Sequence, residues 1–136
     1  MKQLAITSVF LLMIGVTLGV MGSKLVSAQQ PIKRVDLLSA DLGIDGKEMH
    51  IWTADIPPGA ATGRHFHSTP RFVVVLEGSV VFEVDGKSPQ TFTAGQAYQE
   101  LPSEVHNFRN ASTTQPAKAI GIQYAGTGEP LQTNAR

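Results

Sequence analysis

Residues 64–110 read RHFHSTPRFVVVLEGSVVFEVDGKSPQTFTAGQAYQELPSEVHNFRN. Short runs rich in Val, Phe and Thr alternate here with turn chemistry: Ser68-Thr69-Pro70, Glu77-Gly78-Ser79, Asp85-Gly86-Lys87, Ala94-Gly95-Gln96 and Pro102-Ser103-Glu104. β-Branched and aromatic side chains suit a pleated, half-buried surface, and Gly, Pro, Asp and Ser suit the breaks between strands. The pattern predicts strands at 64–67, 72–76, 80–84, 90–93, 97–101 and 106–110, recurring at roughly 8 to 12 residues as in a sandwich or small barrel. Phe72-Val73-Val74-Val75-Leu76 is apolar at every position, which suits a strand covered on both faces inside a two-sheet sandwich. Val80-Val81-Phe82-Glu83-Val84 comes closer to alternating.

The same texture extends outward, with strands predicted at 49–56, after the turn Asp45-Gly46-Lys47, and at 117–124. Pro57-Pro58-Gly59 breaks the chain between the first of these and the stretch above. No window carries the period of a long amphipathic helix. The fold class is therefore all-β, a sandwich or small barrel. The barrel is placed at residues 47–126. Residues 29–46 read as an extended arm whose Val35, Leu37 and Leu38 can dock on the core, and residues 127–136 as a C-terminal tail.

Residues 4–22 carry no charge and follow Lys2, and Val26-Ser27-Ala28 offers small residues for signal-peptidase cleavage before Gln29. Residues 1–28 therefore read as a signal peptide and the protein as exported, periplasmic or extracellular. The competing reading is an uncleaved membrane anchor, since the uncharged run is just long enough to span a bilayer. Three glycines, two threonines and a serine dilute it. With the leader removed there is no membrane segment.

The whole chain has 136 residues, 42% of them hydrophobic and 16% charged, and a formal net charge of zero, which bounds it to one small globular domain. Past Ala28, nine Lys or Arg face eleven Asp or Glu, so there is no basic excess and nucleic acid is excluded as a partner. There are no cysteines, so neither disulfides nor thiolates hold the fold, and any metal must be bound by His and carboxylate.

Three of the four histidines, His65, His67 and His106, fall close together in turn-rich sequence. On a strand, His65 and His67 project from one face, with Arg64 and Phe66 on the other. Two neutral imidazoles side by side suit a divalent metal, although a pair of satisfied or surface histidines is the plainer reading of His-x-His alone. In His106-Asn107-Phe108-Arg109-Asn110 the same alternation points His106, Phe108 and Asn110 one way.

These spacings resemble the two motifs of the cupin superfamily. The first runs Gly, five residues, His-x-His, three or four residues, Glu, six residues, Gly, and Gly59, His65, His67 and Gly78 stand in those places. The second runs Gly, five residues, Pro-x-Gly, two residues, His, three residues, Asn, and Gly95, His106 and Asn110 keep its outer spacing. The resemblance implies a double-stranded β-helix, or jelly-roll, barrel. Two positions depart from it: the first motif's glutamate falls at Arg71, and the inner Pro-x-Gly becomes Leu101-Pro102-Ser103. A guanidinium is always protonated and cannot ligate a metal.

Either the site has three histidines alone or another carboxylate completes it. Glu100 is the foremost candidate, since some small cupins lacking the first-motif glutamate carry a Glu five residues after the second-motif glycine, and Glu100 stands five after Gly95. Glu104 is its rival. The implied metal ligands are His65, His67, Glu100 and His106, around one divalent transition metal among Fe, Mn, Ni, Co and Zn. If Glu100 faces inward, so does Tyr98, which joins Phe108 and Arg71 as a candidate for the substrate pocket. Arg71 reads either as a rim salt bridge with Glu77 or Glu104, or as an anchor for an anionic substrate.

The resemblance implies a metal-dependent dioxygenase-type oxidoreductase or isomerase acting on a small oxygenated molecule, with Glu100 as ligand or, when detached, as catalytic base. The alternative is a non-catalytic exported protein that holds a metal or small ligand in the same pocket. Small cupins commonly pair, so a homodimer is expected. The sequon Asn110-Ala111-Ser112 is expected to be inaccessible, its asparagine facing the core and bonding locally.

Overall fold

The computed structural model describes residues 29–136; the signal peptide read over residues 1–28 lies outside the described residues. Ten strands run β1 (Lys33–Asp41), β2 (Lys47–Ile56), β3 (His65–Phe66), β4 (Arg71–Glu77), β5 (Ser79–Val84), β6 (Gln90–Thr93), β7 (Ala97–Glu100), β8 (His106–Asn110), β9 (Ala117–Gly126) and β10 (Thr133–Asn134). They form two five-stranded antiparallel sheets, ordered β1-β2-β9-β4-β7 and β10-β3-β8-β5-β6. The architecture is all-β, a jelly-roll sandwich with no helix among the described residues. Its core lies between the sheets around Ile56, Val73, Val75, Val80, Phe108, Ala117 and Ala119.

β9 shows how sequence sets the interior. Its side chains alternate strictly, and the inward ones are Ala117, Ala119, Gly121, Gln123 and Ala125. None is bulky and apolar, so the space above the centre of the first sheet is left to its neighbours, Trp52 and Ile56 on β2 and Arg71 on β4, all buried. A cavity of about 380 Å³ remains beside them.

Three expectations change with the fold in view. The arm contains β1, paired along β2 with a register shift between Asp36 and Leu38. Its Val35, Leu37 and Leu38 are exposed rather than docked on the core. The tail contains β10, which pairs with β3 through Thr133↔Phe66 and Asn134↔His65. The apolar run in β4 is covered on one face only: Val73 and Val75 are buried, while Phe72 and Leu76 are exposed. β4 lies within the first sheet, so its second face points away from the sandwich rather than into it.

The turns also account for two motif positions. Gly78 has φ +71°, and a Cβ there would sit 2.7 Å from the Pro116 carbonyl oxygen, so glycine is required both for conformation and for space. Ser103, standing where the second motif carries glycine, has φ +62° and is the one non-glycine residue with positive φ among the described residues. The turn holds it there because its amide donates to the His67 carbonyl at 2.8 Å. No side-chain hydrogen bond compensates. Ser103→Gly is therefore expected to raise the unfolding free energy by about 1 kcal/mol, measured by urea denaturation. Unchanged or lower stability would show that the serine side chain matters more than the backbone conformation.

Candidate metal centre

The register delivers the first pair. β3 lies antiparallel to β8 with His65 opposite His106, and their ring centroids are 4.5 Å apart. His67, just past β3, brings a third imidazole to 4.9 Å from each. The carboxylate comes from the other sheet. Glu100 ends β7, and its Oε2 lies 2.9 Å from His67 Nε2 and 3.3 Å from His106 Nε2. His65, His67, Glu100 and His106 are all buried, and one donor atom from each falls within 4.8 Å of the rest.

The tautomers follow from the backbone. His65 Nδ1 lies 2.9 Å from the Gly63 carbonyl, His67 Nδ1 2.8 Å from the Leu131 carbonyl, and His106 Nδ1 2.8 Å from the Glu104 carbonyl. A carbonyl oxygen only accepts, so each Nδ1 carries the proton and each neutral ring turns a bare Nε2 lone pair to the centre. Orienting carbonyls of this kind commonly stand behind metal-bound histidines. The outcome is a buried clash of acceptors: His67 Nε2 and His106 Nε2 are 3.1 Å apart, and His65 Nε2 has no hydrogen-bond partner. Only positive charge at the centre relieves it. A divalent ion fits this donor set, three imidazole nitrogens and one carboxylate oxygen.

The rival carboxylate is elsewhere. Glu104 pairs with Lys87 and contributes only its carbonyl, to His106. Arg71 pairs with neither Glu77 nor Glu104. Its Nε donates to Gln123 Oε1 at 2.9 Å and its Nη2 to the Leu131 carbonyl at 3.1 Å, with Nε 3.7 Å from Glu100 Oε2. Arg71 and Glu100 are direct cross-strand partners on β4 and β7. The carboxylate thus enters from one strand beyond the motif position.

Charge at the site follows from burial. Burial lowers the His65 imidazole to about 4, aided by His106 and His67 and opposed by the Gly63 carbonyl. Burial pushes the Glu100 carboxyl upward, but a proton at the facing Nε2 of His106 or His67, which supplies the positive charge when no ion does, together with the charge of Arg71 outweighs burial and brings it down to about 2. Burial also lowers Arg71, to about 10, so it stays charged at neutral pH. The Tyr98 hydroxyl is buried without a hydrogen-bond partner, and burial together with neighbouring Glu100 pushes its ionisation far up. Tyr98 stacks on Phe92 and packs beside Phe82.

Glu100 is the one residue of this centre that lines the cavity, and Arg71, Phe108, Val73 and Trp52 are among its other walls. Of the three pocket candidates, Arg71 and Phe108 line it and Tyr98 does not. Asn110 is buried and bonds the Ile56, Pro57 and Gln115 carbonyls, so the sequon is inaccessible. Sequence reading missed Gln123, buried and bridging Arg71 to the Leu131 carbonyl, and it missed that carbonyl as acceptor for His67, Arg71 and Gln123 together. The polar residue among the small inward side chains of β9 was the available signal for Gln123. A backbone oxygen in the tail leaves none.

With the geometry in place, comparison with known proteins is decisive for family. The cupin domain family matches residues 52–122, more than half of the chain. The chain belongs to the cupin family. A stretch of 71 residues is 37% identical to the β-alanine degradation protein BauB of Pseudomonas aeruginosa, covering 51% of this chain and 75% of that protein. Among solved structures, a cupin-like protein from Thermotoga maritima matches with TM-score 0.60 at 20% identity over 70% of this chain and 74% of its own. A Bordetella pertussis cupin domain matches with TM-score 0.57 at 22% identity, over 73% and 98%. The DMSP lyase DddQ of Ruegeria pomeroyi matches with TM-score 0.61 at 18% identity, over 76% of this chain and about half, 51%, of the lyase. At these identities the structural likenesses speak to fold alone.

The depressed His65 value sets a pH dependence for the metal-free cupin. Between pH 4 and the ordinary 6.5 the unfolded chain binds a proton that the folded one does not. The contribution is therefore whole above 6.5 and falls away as pH drops toward 4, by about 3 kcal/mol at most. Urea unfolding at pH 7 and pH 4.5 should show this loss, and His65→Asn should remove it. An undiminished loss in that variant would place its origin elsewhere.

Proposed function

We propose that this cupin is an exported metal-dependent enzyme that oxidises or isomerises a small oxygenated molecule at a centre of His65, His67, Glu100 and His106. The observation carrying the reading is the convergence of three bare Nε2 lone pairs on one buried carboxylate, with an adjoining cavity that meets the centre at Glu100. A bound divalent ion supplies Lewis acidity and, if redox-active, electron transfer.

The chain's own residues do the rest. Phe108 and Val73 give the cavity apolar walls that limit water near the centre. Arg71 faces Glu100 and keeps its carboxylate ionised, ready to bind the ion or to accept a proton when released. Similarity to a protein named for β-alanine degradation supports a role in small-molecule metabolism. The charged start, apolar run and small residues before Gln29 support export to the periplasm or beyond.

The same reading includes a homodimer. The outer face of the first sheet carries an apolar row across four strands, Leu38, Ile51, Ile122 and Phe72 in register, and beside it a row apolar but for one threonine, Val35, Thr53, Ile120 and Val74. A second copy supplies a matching face through a two-fold axis. Light scattering should give twice the chain mass, and Phe72→Glu should shift it toward one; a monomeric parent protein would reject the pairing.

Elemental analysis of natively purified protein should find close to one divalent ion per chain. His106→Ala is expected to hold less than about a tenth of that, because loss of one ligand leaves an incomplete site, and Glu100→Gln should release the ion on dialysis while Glu104→Gln retains it. Equal metal in parent and His106→Ala would defeat the centre. For catalysis, oxygen uptake with phenolic and enediol compounds is the assay, together with isomer formation; a loaded protein silent in both would be a binding protein instead.

A further inference from the structure

Beside the metal centre the cavity wall holds two guanidinium groups on a single indole. Trp52 lies opposite Gly121 in the β2–β9 register, and a Cβ at residue 121 would come within 2.4 Å of its ring, so glycine lets the indole settle against the strand. The Arg34 guanidinium carbon stands 4.0 Å from the ring centroid and that of Arg71 4.8 Å. Trp52, Arg34 and Arg71 all line the same cavity as Glu100.

Two like charges gathered on one ring repel each other, and their partners offset this only in part. Asp36 takes Arg34 Nε at 2.6 Å, at an exposed edge, and Glu100 lies 3.7 Å from Arg71 Nε but faces His67 and His106 more closely. Among the described residues Arg71 spends Nε and Nη2 on Gln123 and Leu131, and Arg34 spends only Nε. Arg71 Nη1 and both terminal nitrogens of Arg34 make no hydrogen bond there. An anion taken up in the cavity that both line would relieve the repulsion and accept forked hydrogen bonds.

Resting on the metal-centre reading above, we infer that the cavity takes a small organic acid, its carboxylate held by Arg71 and Arg34 and a second oxygen directed past Phe108 toward the centre at Glu100. The cavity volume, about 380 Å³, suits a small molecule. A carboxylate offers two acceptor oxygens to the free nitrogens, whereas the matching amide offers one and no charge. An amine would be repelled.

Titration calorimetry of zinc-loaded and metal-free protein with lactate against lactamide, and benzoate against benzamide, tests this. Each acid should bind the loaded protein at least about tenfold more tightly than its amide. Arg34→Gln, at a half-exposed side chain outside the metal centre, should remove most of that preference and leave zinc content unchanged. Arg71→Gln should do the same for the acids. Equal binding of acid and amide, no binding of any of the four to protein that retains zinc, or a preference surviving in both variants would overturn the inference while sparing the metal centre. Acid preference in a protein that fails to hold zinc would do the opposite, upholding the carboxylate subsite and refuting the centre.

Discussion

Three imidazole lone pairs and a carboxylate held together in a buried space repel one another unless positive charge sits among them. In this cupin that arrangement does not come from flexible side chains collapsing inward. The three Nδ1 atoms are each pinned to a backbone carbonyl, those of Gly63, Leu131 and Glu104, so the rings cannot turn without losing a buried hydrogen bond. The histidines come from β3, the residue next to it and β8 of one sheet; the carboxylate comes from β7 of the other. A cation at their meeting point would tie the two sheets together, so that the site and the sandwich would support each other.

Arg71 explains how the site departs from the common cupin pattern without losing its carboxylate. On the inner face of the first sheet, Gln123, Arg71 and Glu100 form a polar row in register across β9, β4 and β7. With arginine at the motif's glutamate position, the neighbouring strand supplies the acid, and the guanidinium becomes its counter-charge. The same substitution leaves a cation facing the cavity, where Arg34 and Trp52 join it. One residue thus changes both the origin of the carboxylate and the electrostatics of the pocket.

Much of this was readable from residue order because it depends on short-range patterns. Strand alternation placed His65 with His67 and His106 with Phe108, turn chemistry found the eight central strands, and the resemblance to small cupins, through the five-residue step from Gly95, pointed to Glu100. What escaped depends on distant pairings. β1 and β10 are strands because β2 and β3 accept them, and their own sequences are too polar or too short to announce it. The exposure of Phe72 depends on which face of β4 meets the other sheet, which a run apolar on both faces does not disclose. Arg34, Trp52 and Arg71 lie far apart in the chain and meet only through the register of β1, β2, β9 and β4.

X-ray absorption at the metal edge of natively purified protein tests the centre most directly. It should show one ion with nitrogen and oxygen neighbours at about 2.0–2.2 Å and the outer scattering of three imidazole rings. A metal surrounded by water alone, or by fewer than two imidazoles, would contradict the account, because the bare Nε2 atoms of His65, His67 and His106 would then not be its ligands.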